Sequence, residues 1–254
     1  MTLCIGFATP HFALLASDTR TFWPAIDDLE GDRSLGPIAS DDERKLGRLR
    51  GGWLVSGPEL AWARDTQRTL AAVDVRDWPT FSRALGDDAR ARIAELERDA
   101  PQRAAFVRRR TMTLLVRPSL EDGFRVDVRD WAGDCLMRGF GPWGTRGFFP
   151  REIPRDEQHS LLEGAQAALD DHQRFHGQRF GLYAAVVVAA AFFAEVYRRC
   201  GPTGSIGSRL ELGTLSLGET GELRQERLGP VEASTLTHSA VVEELLREDL
   251  CPAS

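Results

Sequence analysis

The order of apolar runs in this chain predicts an α+β fold of two antiparallel sheets, each covered on its outer side by a helical layer. Three observations carry the prediction. Strand-like runs come in consecutive groups (strands, two helices, strands, two helices, strands) rather than alternating singly with helices, which disfavours a parallel doubly wound sheet. The first two runs, 3–8 and 12–17, are almost continuously hydrophobic, as strands covered on both faces are. A chain of 254 residues, 42% hydrophobic and 28% charged, has the composition of a soluble domain with ample core. With no internal repeat and no low-complexity linker, it reads as one domain spanning 1–254.

Runs 3–8 and 12–17 are joined by Pro10-His11 and form a hairpin. A polar Gly/Pro/Asp-rich segment from Thr21 to Asp42 interrupts, carrying Trp23 and Pro24. Strands at 44–50 and 53–57 then turn at Gly51-Gly52. Glu59 to Ala72 fits one helix and Pro79 to Leu96 a second, with Pro79 suited to a first turn. Strands follow at 111–117, 124–130 and 133–138, then a glycine-rich loop from Gly139 to Gly147. Helices at 155–175 and 180–199, strands at 208–217 and 222–228, and a last helix near 238–249 complete the order.

Several functions are disfavoured. A net charge of −6, from 32 basic and 38 acidic residues, argues against a nucleic-acid backbone binder. The basic run Arg108-Arg109-Arg110 reads as a solvated surface where a helical segment gives way to a strand. Four scattered cysteines without a C-x-x-C pair, and no signal peptide, favour a reduced cytoplasmic setting. The uncharged run Phe180–Ala194 is short for a membrane span and reads as a buried helix. Gly139-Phe140-Gly141-Pro142-Trp143-Gly144 spells a dinucleotide fingerprint, but its internal Pro142 argues for a loop instead of a helix start. His172 and His176, four apart beside Asp170-Asp171, lack the glutamate of a zinc-binding pair and read as an exposed, solvated face.

The chemistry-bearing residues gather at strand ends near the front. A threonine whose α-amine is freed has a nucleophile and its general base on neighbouring atoms, and Thr2 follows Met1 directly. Ser17-Asp18-Thr19-Arg20 stands at the end of the second strand. In an antiparallel hairpin that end returns beside the start of the first strand, so Asp18 is expected next to Thr2, where a carboxylate helps set the protonation of an amine. Lys45 begins the third strand; a lysine near a threonine hydroxyl stabilises the alkoxide, and an aspartate can hold that lysine in place. The fourth strand ends in Val55-Ser56-Gly57, whose turning backbone offers an N–H as oxyanion donor.

This set resembles the proteasome β-type family of N-terminal nucleophile (Ntn) hydrolases, which includes the bacterial HslV peptidase and the Anbu proteins. Met1-Thr2-Leu3-Cys4-Ile5-Gly6 is similar to the Anbu-type opening, and the spacing from Thr2 to Asp18, 18 − 2 = 16 residues, is that of the family's nucleophile and first aspartate. Ser17-Asp18-Thr19-Arg20, Arg44-Lys45-Leu46 and Val55-Ser56-Gly57-Pro58 resemble its aspartate strand end, lysine strand and glycine turn. Ser205-Ile206-Gly207 resembles the short loop after its last long helix. The likeness is motif-level over residues 1–65 and architectural beyond.

The resemblance implies the four-layer αββα sandwich of the Ntn-hydrolase fold, with Thr2 as nucleophile, its amine as base, Asp18 and Lys45 tuning them, Gly57 as oxyanion donor, and Arg20 and Ser205 in support. It implies hydrolysis of amide bonds in peptides or a small amide after removal of Met1, without metal or cofactor, by a cytoplasmic homo-oligomer with no nucleic-acid or membrane partner. No unfoldase-docking motif identifies an ATPase partner. Two other functions stay open: a proteasome-like binding or assembly subunit without catalysis, and amide transfer or ligation by the same acyl-enzyme. The first of these is favoured by Arg199–Ser205, which lacks the family's late aspartate, and by Gly139-Phe140-Gly141-Pro142, which lacks its auxiliary serine.

Overall fold

The computed structural model describes residues 3–22, 38–40, 43–57, 60–150, 152–176, 181–201, 204–218 and 220–236. In chain order its elements are β1 (Cys4–Ala8), β2 (Phe12–Asp18), β3 (Thr21–Phe22), β4 (Ile38–Ser40), β5 (Gly47–Leu49) and β6 (Gly52–Gly57), then α1 (Leu60–Leu70), α2 (Trp78–Asp99) and α3 (Pro101–Arg110). Strands β7 (Met112–Ser119), β8 (Gly123–Asp130), β9 (Cys135–Arg138) and β10 (Arg146–Phe148) follow. Then come α4 (Arg155–His176), α5 (Gly181–Cys200), β11 (Arg209–Leu217), β12 (Leu223–Glu232) and α6 (Ala233–Leu236).

Two five-stranded sheets result, ordered β10-β1-β2-β11-β12 and β5-β6-β7-β8-β9, with β3 and β4 a separate pair. Every strand pairing within them is antiparallel. Alternation of side chains along a strand divides the core into layers. Leu3, Ile5 and Phe7, with Phe12, Leu14 and Ala16, face α4 and α5. The alternate residues Cys4, Ala8, Ala13 and Leu15 face Trp53, Val55, Leu114, Val116 and Val126 of the second sheet. That sheet's other face, with Leu49, Leu54 and Leu115, meets Leu70, Phe81 and Leu85 of α1 and α2. The predicted four layers, helices outside two facing sheets, are what the chain forms.

Helix α5 is long and apolar enough to cross a membrane by length and composition, yet half of its most apolar window is buried. Ala184, Ala185, Ala189 and Ala190, with Phe193 and Val196, are in the core shared with β2 and β11. The alanines let the helix axis approach the sheet closely.

Some elements differ from the sequence expectation. The expected helix Pro79–Leu96 is α2, capped by Asp77, whose carboxylate accepts from Thr80 N, with Pro79 in its first turn. Ala100 then takes an extended φ of −154° and Pro101 starts α3, a helix the sequence reading did not separate from the basic run. The glycine-rich loop ends in a three-residue strand, β10, paired with β1; so short a segment shows no periodicity. Two short strands, β3 and β4, lie within the Thr21–Asp42 segment that was expected to interrupt the β region. The expected helix at 238–249 lies outside the described residues.

The two sheets touch most tightly where Trp53 of β6 meets β11. Its ring is fully buried and its Nε1 donates to Thr214 O at 3.0 Å. A Cβ at Gly213 would lie 2.5 Å from that ring, so only glycine fits. Gly213→Ala is expected to lower stability by about 1–3 kcal/mol, read from the urea midpoint; an unchanged midpoint would contradict this packing.

Candidate active site

Asp18, at the end of β2, is the hub. Strand β1 pairs with β2 with Cys4 opposite Ser17, and the ladder ends with Asp18 N donating to Leu3 O at 3.0 Å. Leu3 N donates back to Asp18 Oδ1 at 2.9 Å. That nitrogen is covalently joined to the carbonyl of Thr2; Thr2 itself lies outside the described residues. Lys45 Nζ lies 2.9 Å from both carboxylate oxygens of Asp18, and Arg20 N donates to Oδ2 at 3.1 Å. Both side chains are buried, Lys45 4% and Asp18 0% exposed, so solvent and salt screen the pair far less than a surface pair.

Lys45 is held in turn by a residue the sequence reading missed. Glu211 of β11, beside Ser17 in the sheet, is fully buried and its Oε1 accepts from both Lys45 N and Leu46 N at 2.5 Å. Arg227 of β12 donates from Nη2 to Leu46 O at 2.5 Å. Burial pushes the Glu211 carboxyl above the ordinary range, against the opposite pull of the two amides and the Arg227 charge. Its second oxygen has no hydrogen-bond partner among the described residues. The available signal was a charge inside an apolar strand, Leu210-Glu211-Leu212.

Burial, helped by the Asp18 charge, also pushes the thiol of Cys4 strongly upward. It stays a neutral core side chain, not a competing nucleophile.

Arg20 is buried and its Nη1 donates to Gly204 O at 3.0 Å, tying the end of β2 to the loop after α5. In that loop Ser205 donates from its N and Oγ to the two oxygens of Glu152, at 3.0 and 2.7 Å. The run Arg199–Ser205 has no carboxylate in sequence, but the fold supplies one from just ahead of α4. Ser205 therefore bonds to Glu152, and its connection to Asp18 runs through Gly204 and Arg20. Gly57 ends β6, opposite Met112 of β7.

Two side chains expected on a solvated face are not so. Asp170 accepts from Trp143 Nε1 at 2.7 Å, and His172 is half-buried against Tyr183, ring centroids 6.2 Å apart. The side chain of His176 is outside what is described. The Gly139–Gly144 segment opens no helix; it forms a turn in which Phe140 bridges to Thr145. Arg108 to Arg110 are exposed, as expected, with Arg108 paired to Glu97. Among the described residues no three His, Cys, Asp or Glu side chains converge as a metal site.

Two antiparallel sheets between helical layers, with a buried aspartate–lysine pair at the first hairpin, define a proteasome-like Ntn fold. The chain is similar over 100% of its length to two solved structures of Anbu from Hyphomicrobium sp. strain MC1. One is a mutant form, with TM-score 0.54, and the other has TM-score 0.56; each is 16% identical and 98% covered. At that identity the likeness is one of fold. No protein-family model matches the chain, and no curated protein sequence does.

The clamp on Lys45 has a pH signature. A carboxyl whose folded pKa is raised stabilises the fold fully below its unfolded value, roughly 4.3, and loses that contribution as pH rises through the folded value. The stability of the wild type minus that of Glu211→Gln is therefore expected to fall as pH rises from about 4, measured by denaturant unfolding across pH. A difference that is flat or grows with pH would contradict the raised pKa.

Proposed function

We propose that the chain is a threonine-type Ntn hydrolase that cleaves amide bonds in peptides or small amides once Met1 is removed. One observation carries the reading: the carboxylate of Asp18 binds the amide one peptide bond from Thr2 and, with its remaining capacity, the ammonium of Lys45. This brings a fixed positive charge to the start of β1, where a threonine alkoxide gains most from it.

In this mechanism Thr2 Oγ attacks the substrate carbonyl as the Thr2 α-amine takes its proton. The tetrahedral oxyanion is met by a backbone N–H, a role we give to Gly57. Collapse expels the amine, which takes the proton, and leaves an ester on Thr2. Water, activated by the same α-amine, then hydrolyses the ester and regenerates the free hydroxyl. Arg20, Ser205 and Glu152 keep the strand end and the loop after α5 in place. Self-assembly into a homo-oligomer belongs to the same proposal.

An amine in place of water at the last step would make the reaction amide transfer, which product analysis with an added amine separates. A binding or assembly subunit was favoured by the missing late carboxylate and by the missing auxiliary serine in Gly139-Phe140-Gly141-Pro142; Glu152 on Ser205 weakens the first ground only. The expected result is that intact mass shows Met1 absent from the natively expressed protein, and that Thr2→Ala abolishes turnover of amide substrates. Retention of Met1 blocks the base and defeats the mechanism.

A further inference from the structure

Two buried polar atoms on neighbouring strands lack a hydrogen-bond partner among the described residues, Glu211 Oε2 on β11 and Arg227 Nε on β12. An ionised carboxylate oxygen accepts and a guanidinium nitrogen donates, so the two are complementary. Arg227 stands directly across from Gly213. Glu211 comes two residues before Gly213, so its side chain leaves the sheet on the same face as that of Arg227. Diagonal neighbours of this kind are within reach of long side chains. Each is engaged elsewhere through its other end. Glu211 Oε1 accepts from the Lys45 and Leu46 amides, and Arg227 Nη2 donates to Leu46 O. Leu46 is thus held at its N–H by one residue and at its C=O by the other.

The other groups around Glu211 are already committed. The Lys45 ammonium is on Asp18 of β2. Ser17 of β2, opposite Glu211, donates to Asp18 O, and Cys4 of β1 keeps a neutral thiol. Arg44, ahead of β5, and Arg48 of β5 repel Arg227. Burial holds Glu211 toward its neutral form, against the pull of Arg227 and Arg44. Once ionised, Oε2 is a buried anion without a donor, which is costly. The unpartnered donor on the neighbouring strand is Arg227 Nε. Nε and Nη2 form one edge of the guanidinium fork, the edge that grips a carboxylate. A turn of that edge toward Glu211 takes Nη2 off Leu46 O.

We propose that Glu211 is a positioning residue whose proton decides what Arg227 holds: Leu46 O when Glu211 is neutral, Glu211 itself when it is ionised. In the second state Leu46 keeps the hold on its amide and loses the hold on its carbonyl, so the backbone at Lys45 is clamped from one side only. The exchange of partners stands on these side chains alone; its effect on turnover rests on the hydrolase reading above.

Lys45 is the only lysine in the sequence. Lysine labelled with nitrogen-15 on its backbone therefore gives the full chain one labelled amide, the one bonded to Glu211. Arginine labelled at Nε supplies the second signal, and the resonance missing from Arg227→Gln is that of Arg227. From about pH 4 to 8, the range open to a buried carboxyl, the Lys45 amide and the Arg227 Nε–H are expected to shift in one common step. The Nε–H moves downfield as it gains a carboxylate. Both steps should vanish in Glu211→Gln, whose side chain stays neutral. If Arg227→Gln does not fold, the Arg227 signal is the one that loses its step in Glu211→Gln. No step at Lys45, or a step there without a Glu211-dependent arginine step, would overturn the proposal. In the Met1-free protein, the ratio of wild-type kcat to that of Glu211→Gln is expected to fall about tenfold across the step, the scale of one hydrogen bond, with KM unchanged. Taking the ratio cancels the titration of the α-amine. A flat ratio beside the common step would refute the positioning role. No turnover at any pH beside that step would refute the hydrolase alone.

Discussion

A carboxylate and an ammonium, both out of water, sit between the first hairpin and the segment that enters the second sheet. Taking two charges out of solvent costs several kcal/mol each, and only close geometry with further hydrogen bonds offsets it. Asp18 meets that demand by accepting from Lys45 at both oxygens and from the amides of Leu3 and Arg20. The pair therefore ties three things to one point: the beginning of β1, the end of β2 and the chain leading into β5. Loss of either partner strands the other charge in the core. The start of β1 is thus fixed by electrostatics as well as by its strand ladder.

The rest of the site is arranged around keeping that lysine in place. Glu211 accepts from the Lys45 and Leu46 amides, and Arg227 donates to the Leu46 carbonyl, so the lysine's backbone is clamped by two neighbouring strands of the other sheet. Arg227 also lies over Trp53, the ring that fills the space above Gly213. One set of contacts therefore serves both sheet packing and lysine placement. Damage to the interface between the sheets is expected to reach the site through these shared residues.

How much of this was legible in the sequence follows from how local each relationship is. The β1–β2 hairpin could be read from two apolar runs and a turn, and with it the return of Asp18 to the chain start. Lys45 and Gly57 stand out locally, Lys45 in the charged run just ahead of β5 and Gly57 at the end of β6. Glu211 was not found: it lies 166 residues from Lys45, and its role exists only because β11 pairs with β2. Glu152, 53 residues from Ser205, was hidden for the same reason. Helix α3 was not separated because a single extended residue, Ala100, divides it from α2, although Pro101 is a helix-start signal in the sequence. Three-residue β10 has too few residues for an alternation to show.

The sharpest measurement is the rate at which a threonine-directed epoxyketone labels Thr2, followed by intact mass, in the Met1-free protein and in Lys45→Met. Stoichiometric labelling of the wild type, slowed about 10²–10³-fold in the variant as for loss of one preorganised electrostatic group, is the predicted result. Labelling at the same rate in both proteins, or none in the wild type, would contradict the role given to the buried Asp18–Lys45 pair.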